Sequence, residues 1–212
     1  MTRVWLLLMG VLAIAIFATS LLVIVPNTMI GQVRVPKQLA PYTEQEQRGR
    51  DVYVSEGCVY CHSQQVRDTL YTSDRQRGWG PRPTVPSDYV YDKPHQLGTM
   101  RTGPDLINIG VRQPSDQWHH THLFNPRSLV TWSIMPAFPY LYTVRDSSSL
   151  KVGETFYRVP GGKLPPGKVI VPTAAAEALV AYLKSLKRTY PVPVGDEPAA
   201  RSIGGRSEHT MP

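Results

Sequence analysis

The sequence predicts a mainly α-helical protein, with one N-terminal transmembrane helix ahead of a small helical domain that has long irregular loops. Three observations predict it. Val4 through Val25 carries no charged residue. Two helical patterns, each opened by a capping threonine, stand far apart in the chain, after Thr43 and after Thr173. Breakers are frequent, with 20 Pro and 16 Gly in 212 residues, so the connections are expected to be long and irregular.

The apolar run comes first. At about 1.5 Å per residue it matches a hydrocarbon core of about 30 Å. A cleaved signal peptide would have an apolar region of only about 7–15 residues ending at a small-residue site. Here Phe17-Ala18-Thr19-Ser20 is followed by more apolar residues, which favours an uncleaved anchor. Trp5 would lie near one interface. Pro26 is expected to close the helix, giving an anchor over residues 1–26. Residues 27–42, with Pro36 and Pro41, read as an extended stalk.

Thr43 followed by Glu46 is a capping-box pattern. It predicts a helix from Glu44 to Ser55 that ends at Gly57. Residues 68–104 are rich in Arg, Gly, Pro, Tyr and Asp without helical period, and read as a long packed loop. Pro114-Ser115-Asp116 opens a short helix carrying Trp118, His122 and Leu123, which stops before Asn125-Pro126. Weak alternation over 143–172, with a turn at Gly161-Gly162, points to two short strands. Thr173 caps a helix from Ala174 to Lys187, with Leu179, Tyr182, Leu183 and Leu186 on one face. The folded domain would thus occupy 43–190, and the polar residues 191–212 would form a flexible tail.

The net charge is +7. Lys and Arg are scattered and form no stripe interleaved with aromatics, so no nucleic-acid partner is expected. Anionic lipid or an acidic protein surface is the better match.

Cys58 and Cys61 are the two cysteines of the chain, and His62 follows directly. This C-x-x-C-H pentad is the attachment pattern of one covalent c-type haem. Two thiols at that spacing can each reach a vinyl group on the same porphyrin edge, and the adjacent imidazole can take the iron. A thioredoxin-like pair would sit in a βαβ unit, and no such pattern surrounds it. A zinc site would need two more ligands, with no further Cys to supply them. With both thiols used, no disulfide is expected.

For the sixth iron position Met135 is the foremost candidate. It precedes Pro136, which holds it in an extended segment, and Trp132, Phe138 and Tyr140 could wall a haem edge. Met100 is the rival, close in sequence to His62. His119, His120 and His122 could also ligate. They read instead as surface or interface residues, since positions 119 and 120 cannot face the same way.

Gly49 and Tyr53, the C-x-x-C-H pentad, Gly103-Pro104-Asp105-Leu106, Met135-Pro136 and Ala181-Tyr182-Leu183 resemble the class I cytochrome c pattern. That resemblance implies that the first and last helices cross at Gly49. It implies that the Pro104 carbonyl receives the His62 Nδ1–H and that Leu106 presses on the haem face. Residues across most of 1–186 are similar to the mono-haem subunit II of cbb3-type cytochrome c oxidases. The segments Val90-Tyr91-Asp92-Lys93-Pro94, Arg101-Thr102-Gly103-Pro104-Asp105-Leu106, Asn125-Pro126-Arg127 and Met135-Pro136-Ala137-Phe138 carry it. Residues 65–86 depart from the pattern.

The resemblance implies an electron-transfer subunit of the respiratory chain, single-pass in the bacterial inner membrane with its haem domain on the periplasmic side. His62 and Met135 would be the iron ligands. A di-haem or other cytochrome c would be the donor, and the haem-copper catalytic subunit the acceptor. The chain itself would transform no substrate. A free-standing membrane-anchored carrier is the alternative, and a haem-based gas sensor a rival from another class. Trp118, His119, His122 and Arg127, with Arg101-Thr102, are expected to dock on the catalytic subunit.

Overall fold

The computed structural model describes residues 2–31 and 33–192. The predicted tail therefore lies, from residue 193 onward, outside the described residues. The chain divides into two units. One holds the N-terminal segment through Leu39 together with Val85–Val90. The other holds Ala40–Thr84 and Tyr91–Tyr190.

In the first unit, α1 (Thr2–Thr19) runs through a π-helical turn at Ser20–Ile24 into α2 (Val25–Gly31). The stretch Arg3–Met29 is long and apolar enough to cross a membrane, and its residues are exposed. Pro26 does not close the helix as expected. A proline ring normally collides with the carbonyl one turn back. Here Val25 N–H bonds back to Ser20 O, and the wider π turn makes room for the ring. The stalk is not fully extended either: Leu39 N–H closes a turn on Pro36 O at 3.0 Å, and both side chains are buried.

The second unit is built on α3 (Glu44–Ser55) and α6 (Ala174–Ser185). The predicted capping box on α3 is complete: the Thr43 side chain accepts from Glu46 N–H, and the Glu46 carboxylate accepts from Thr43 N–H. Thr173 caps α6. That helix stops two residues before the predicted Lys187, yet Leu186 stays fully buried. The two helices cross at Gly49, where a Cβ would overlap the Ala178 carbonyl. The crossing is lined by Tyr182, whose ring meets those of Tyr53 and Tyr42 edge-on at 5.5 Å. The Tyr182 hydroxyl pairs with the buried Gln64 amide. Leu123, Leu141, Ile170, Leu179 and Leu183 complete the core.

Four further helical or strand elements belong to this unit. These are α4 (Ile109–Arg112), α5 (Asp116–Phe124), and the antiparallel pair β1 (Tyr142–Asp146) and β2 (Lys168–Pro172), with Val144 opposite Ile170. The loop after the haem motif is held by charge. Arg101 donates to Ser63 Oγ, Asp74 and the Gln65 carbonyl, and its guanidinium covers Trp79. Arg50 and Asp92 form a buried ion pair at 2.7 Å.

Candidate functional site

The motif begins where α3 ends. Gly57 turns the chain in a left-handed conformation, φ 71°, into a short 3₁₀ turn, Cys58–Tyr60, closed by Cys61 N–H on Cys58 O. Cys58 is half-buried and Cys61 exposed, and the two form no disulfide. Burial pushes the Cys58 thiol up to about 12.

His62 follows on a strap that Asp105 organises. The Asp105 carboxylate accepts from Ser63 Oγ at 2.6 Å, Gln65 N–H at 2.7 Å and Ile107 N–H at 2.9 Å. Gly103 N–H donates to Cys61 O. These bonds seat residues 103–106 against the motif. His62 Nδ1–H donates to Pro104 O at 2.7 Å, so Nε2 is the nitrogen left for a metal. Gly103 lies over the ring so closely that a Cβ would overlap it. Burial holds the imidazole below the ordinary histidine range, against the Pro104 carbonyl. It is therefore neutral at pH 7, the form that binds metal.

His62, Pro104, Leu106 and Met135 line one largely apolar pocket. Met100, by contrast, is 55 % exposed and outside it. Leu183 of α6, Ile109 and Arg112 of α4, Gln113, and Trp118, His119, His122 and Leu123 of α5 complete the lining. The sequence reading missed α4 and the pocket role of Arg112 and Gln113. Trp132, Phe138 and Tyr140, expected to wall a haem edge, are not among the residues lining this pocket: Trp132 and Tyr140 are exposed, and Phe138 packs against the core. Trp118 supplies an aromatic wall instead, stacked on His122 at 4.6 Å.

His119 and His120 do point apart, while His119 and His122 share the pocket lining; the first two are buried and His122 is half-buried, so they are not surface residues. His119 is buried, and its Nε2 bonds Gln113 O at 2.8 Å. His120 is fully buried, stacked on Tyr157 at 4.2 Å, with Nδ1 3.1 Å from the Tyr142 hydroxyl. Tyr142 of β1 and Tyr157 of the connection between β1 and β2 supply the aromatic cover that a sequence pattern cannot show. Arg101 spends its guanidinium within the chain, on Ser63, Asp74 and the Gln65 carbonyl. Arg127 stays exposed, and its Nη1 donates to the Ser133 and Met135 carbonyls.

The pocket fits a haem by its donor set. A cysteine pair directly precedes the lining His62 in the chain, an imidazole and a thioether share the lining, and two buried nitrogens there, Arg112 Nε and His122 Nδ1, have no hydrogen-bond partner among the described residues. A cationic guanidinium and an imidazole in an apolar wall suit a carboxylate-bearing macrocycle.

No curated protein matches the chain. The family described as "Cytochrome C oxidase, mono-heme subunit/FixO" matches residues 1–159. Its matched span holds the apolar helix, the C-x-x-C-H strap, Pro104 and Met135. The chain belongs to this family, the mono-haem subunit of cbb3-type cytochrome c oxidases.

Proposed function

We propose that this chain is the electron-relay subunit of its oxidase, with one covalent haem c held between His62 and Met135 on the periplasmic side of a bacterial inner membrane. The observation that carries the reading is that His62 and Met135 line one pocket while His62 Nδ1 is committed to Pro104 O. When bound, the haem supplies a one-electron ferric/ferrous couple.

The chain's own residues do the rest. Cys58 and Cys61 would anchor the porphyrin through two thioethers. Pro104 fixes the His62 tautomer and the ring direction. Pro136 keeps Met135 out of the helical region, which suits a thioether aimed inward. Arg112 and His122 would hold the macrocycle's carboxylates. Leu106, Ile109, Leu123 and Leu183 exclude water, and a dry site with a thioether ligand favours the ferrous form. The crossing of α3 and α6 at Gly49 supports a class I cytochrome c fold for residues 43–190. The apolar helix would be a single-pass anchor, in contact with lipid. Electrons would arrive from a di-haem or other cytochrome c and leave to the catalytic subunit, where dioxygen is reduced. This chain would make and break no substrate bond.

Two measurements test this. In-gel haem staining of the denatured chain should vanish in Cys58→Ala/Cys61→Ala. Full, unshifted staining there would reject covalent attachment. Mild detergent extraction of the full chain should also bring down a haem-copper subunit. Recovery without one under every mild condition would favour the free-standing carrier.

A further inference from the structure

We propose that Arg127 is a positioning residue for Met135: it clasps the loop that carries the thioether and sets how firmly the sixth iron position is closed. This rests on the reading of Met135 as the axial ligand.

The clasp is specific. Arg127 Nη1 donates to the carbonyl oxygen of Ser133 at 3.1 Å and to that of Met135 at 3.2 Å. One guanidinium nitrogen thus joins two carbonyls on either side of Ile134. Arg127 can do this because its own backbone is fixed. It sits in a 3₁₀ turn, Pro126–Ser128, that continues directly from α5. Pro126 is buried, Ser128 N–H closes on Asn125 O, and Val130 N–H closes on Pro126 O, both at 3.0 Å.

The loop it holds has few other restraints. Ser133 N–H bonds Val130 O and Met135 N–H bonds Ser133 Oγ, both within the loop. A hydrogen bond to the helical frame comes at Phe138, whose N–H donates to Leu123 O at 2.9 Å. Packing restrains little besides Met135 itself, which is half-buried against the core, since its neighbours Trp132 and Ile134 are 83 % and 75 % exposed. Remove the guanidinium, and both carbonyls turn to water while the segment around Met135 hinges between Val130 and Phe138. The thioether then leaves its place more readily. The same α5 that bears His122 and Leu123 in the pocket wall thereby holds the ligand on the other side.

The test is an imidazole titration of the full-length ferric holoprotein in detergent, following the sulfur-to-iron charge-transfer band. Two hydrogen bonds from a charged but exposed donor predict that imidazole displaces the band in Arg127→Ala at roughly tenfold lower concentration than in the wild type. Arg127→Lys, which keeps a charged donor on a shorter reach, should fall between. Arg145→Met is the control: it removes a different partly exposed arginine, one paired with Glu154, and should titrate as wild type. If Arg127→Ala titrates as wild type while Met135→Ala loses the band, the clasp is rejected and the ligand stands. Equal sensitivity in Arg127→Ala and Arg145→Met would mean general loosening and would also reject it. A band that survives Met135→Ala overturns the ligand reading and the clasp together.

Discussion

His62 and Gly103 are in close approach: a Cβ at position 103 would overlap the imidazole whose Nδ1–H is held at 2.7 Å by the next carbonyl, that of Pro104. The ring is thereby fixed in direction by a hydrogen bond and in position by a residue without a side chain. One atom more at position 103 would have to displace the ring or the Pro104 carbonyl.

Gly103→Ala is therefore expected to cost roughly 1–3 kcal/mol through overpacking, with its effect concentrated on His62. The haem-to-protein ratio of purified material should drop, and the ferric spectrum should show a mixed population. A fully loaded protein with an unchanged spectrum would show that the ring does not depend on this contact.

The helix crossing allows a cleaner stability test. A Cβ at Gly49 meets backbone, the Ala178 carbonyl, and cannot be relieved by a side-chain rotation. Gly49→Ala should destabilise by about 3 kcal/mol, despite the better helix propensity of alanine. A urea midpoint at or above that of the wild type would refute the close approach.

Arg50 and Asp92 are both almost completely buried, at 2.7 Å, and Arg50 also donates to the Pro94 carbonyl. Asp92→Asn leaves a buried guanidinium without its counter-charge and should cost roughly 3–5 kcal/mol. Adding Arg50→Met should recover much of the loss. If the double variant is no more stable than Asp92→Asn, the penalty does not come from the stranded charge.

Acid should unfold the protein partly through His120. Burial is the largest influence on it and pulls its imidazole down to about 4; nearby Asp116 opposes this, while His119 and Lys184 reinforce it. Glu177 lies 3.8 Å from Nε2, beyond hydrogen-bond reach, and does not offset the burial. The folded value lies below the unfolded value of about 6.5, so the unfolded chain binds more protons between the two. Stability is whole above pH 6.5 and falls as the pH drops towards 4, by up to about 3 kcal/mol from this residue. His120→Phe keeps the stacking on Tyr157 and removes the titration. Denaturant melts at pH 7.5 and 4.5 should differ less in that variant; an unchanged difference would assign the acid sensitivity elsewhere.

Met135→His should retain a low-spin haem and lower its potential, because imidazole favours the ferric state more than a thioether does. Spectroelectrochemical titration reads this directly. A potential that rises would rule out exchange at the axial position.

Much of the frame was legible in the sequence because it is local. The Thr43/Glu46 capping box, the bounds of α3 and α5, and the Thr173 cap depend on neighbours a few residues apart. Gly49 and Pro104 were placed through motif resemblance, and the structure puts each where a close approach or a carbonyl is required. What escaped was non-local. His120 looks like a surface residue until Tyr142 from β1 and Tyr157 from the connection between the two strands arrive to cover it. Arg101 looks like a docking charge until Asp74 and Trp79 fold back from the divergent loop to meet it. Arg127 is exposed, and the Ser133 and Met135 carbonyls that its Nη1 reaches cannot be read from a sequence. The continuation past Pro26 escaped for a different reason, since a π turn has no sequence signature as distinct as a cap.

That π turn also changes how the N-terminal helix is to be read. It takes in one residue more than an α turn, and each residue advances an α-helix by about 100°. A stripe that follows regular spacing along Leu8, Leu12 and Ile16 thus continues one position later in α2 than extrapolation would put it. The helix is continuous in backbone and split in phase. Crosslinking or tryptophan-scanning profiles along it should fit two periodic waves offset at Ser20–Ile24, and fitting a single wave would assign Asn27 and Thr28 to the wrong side.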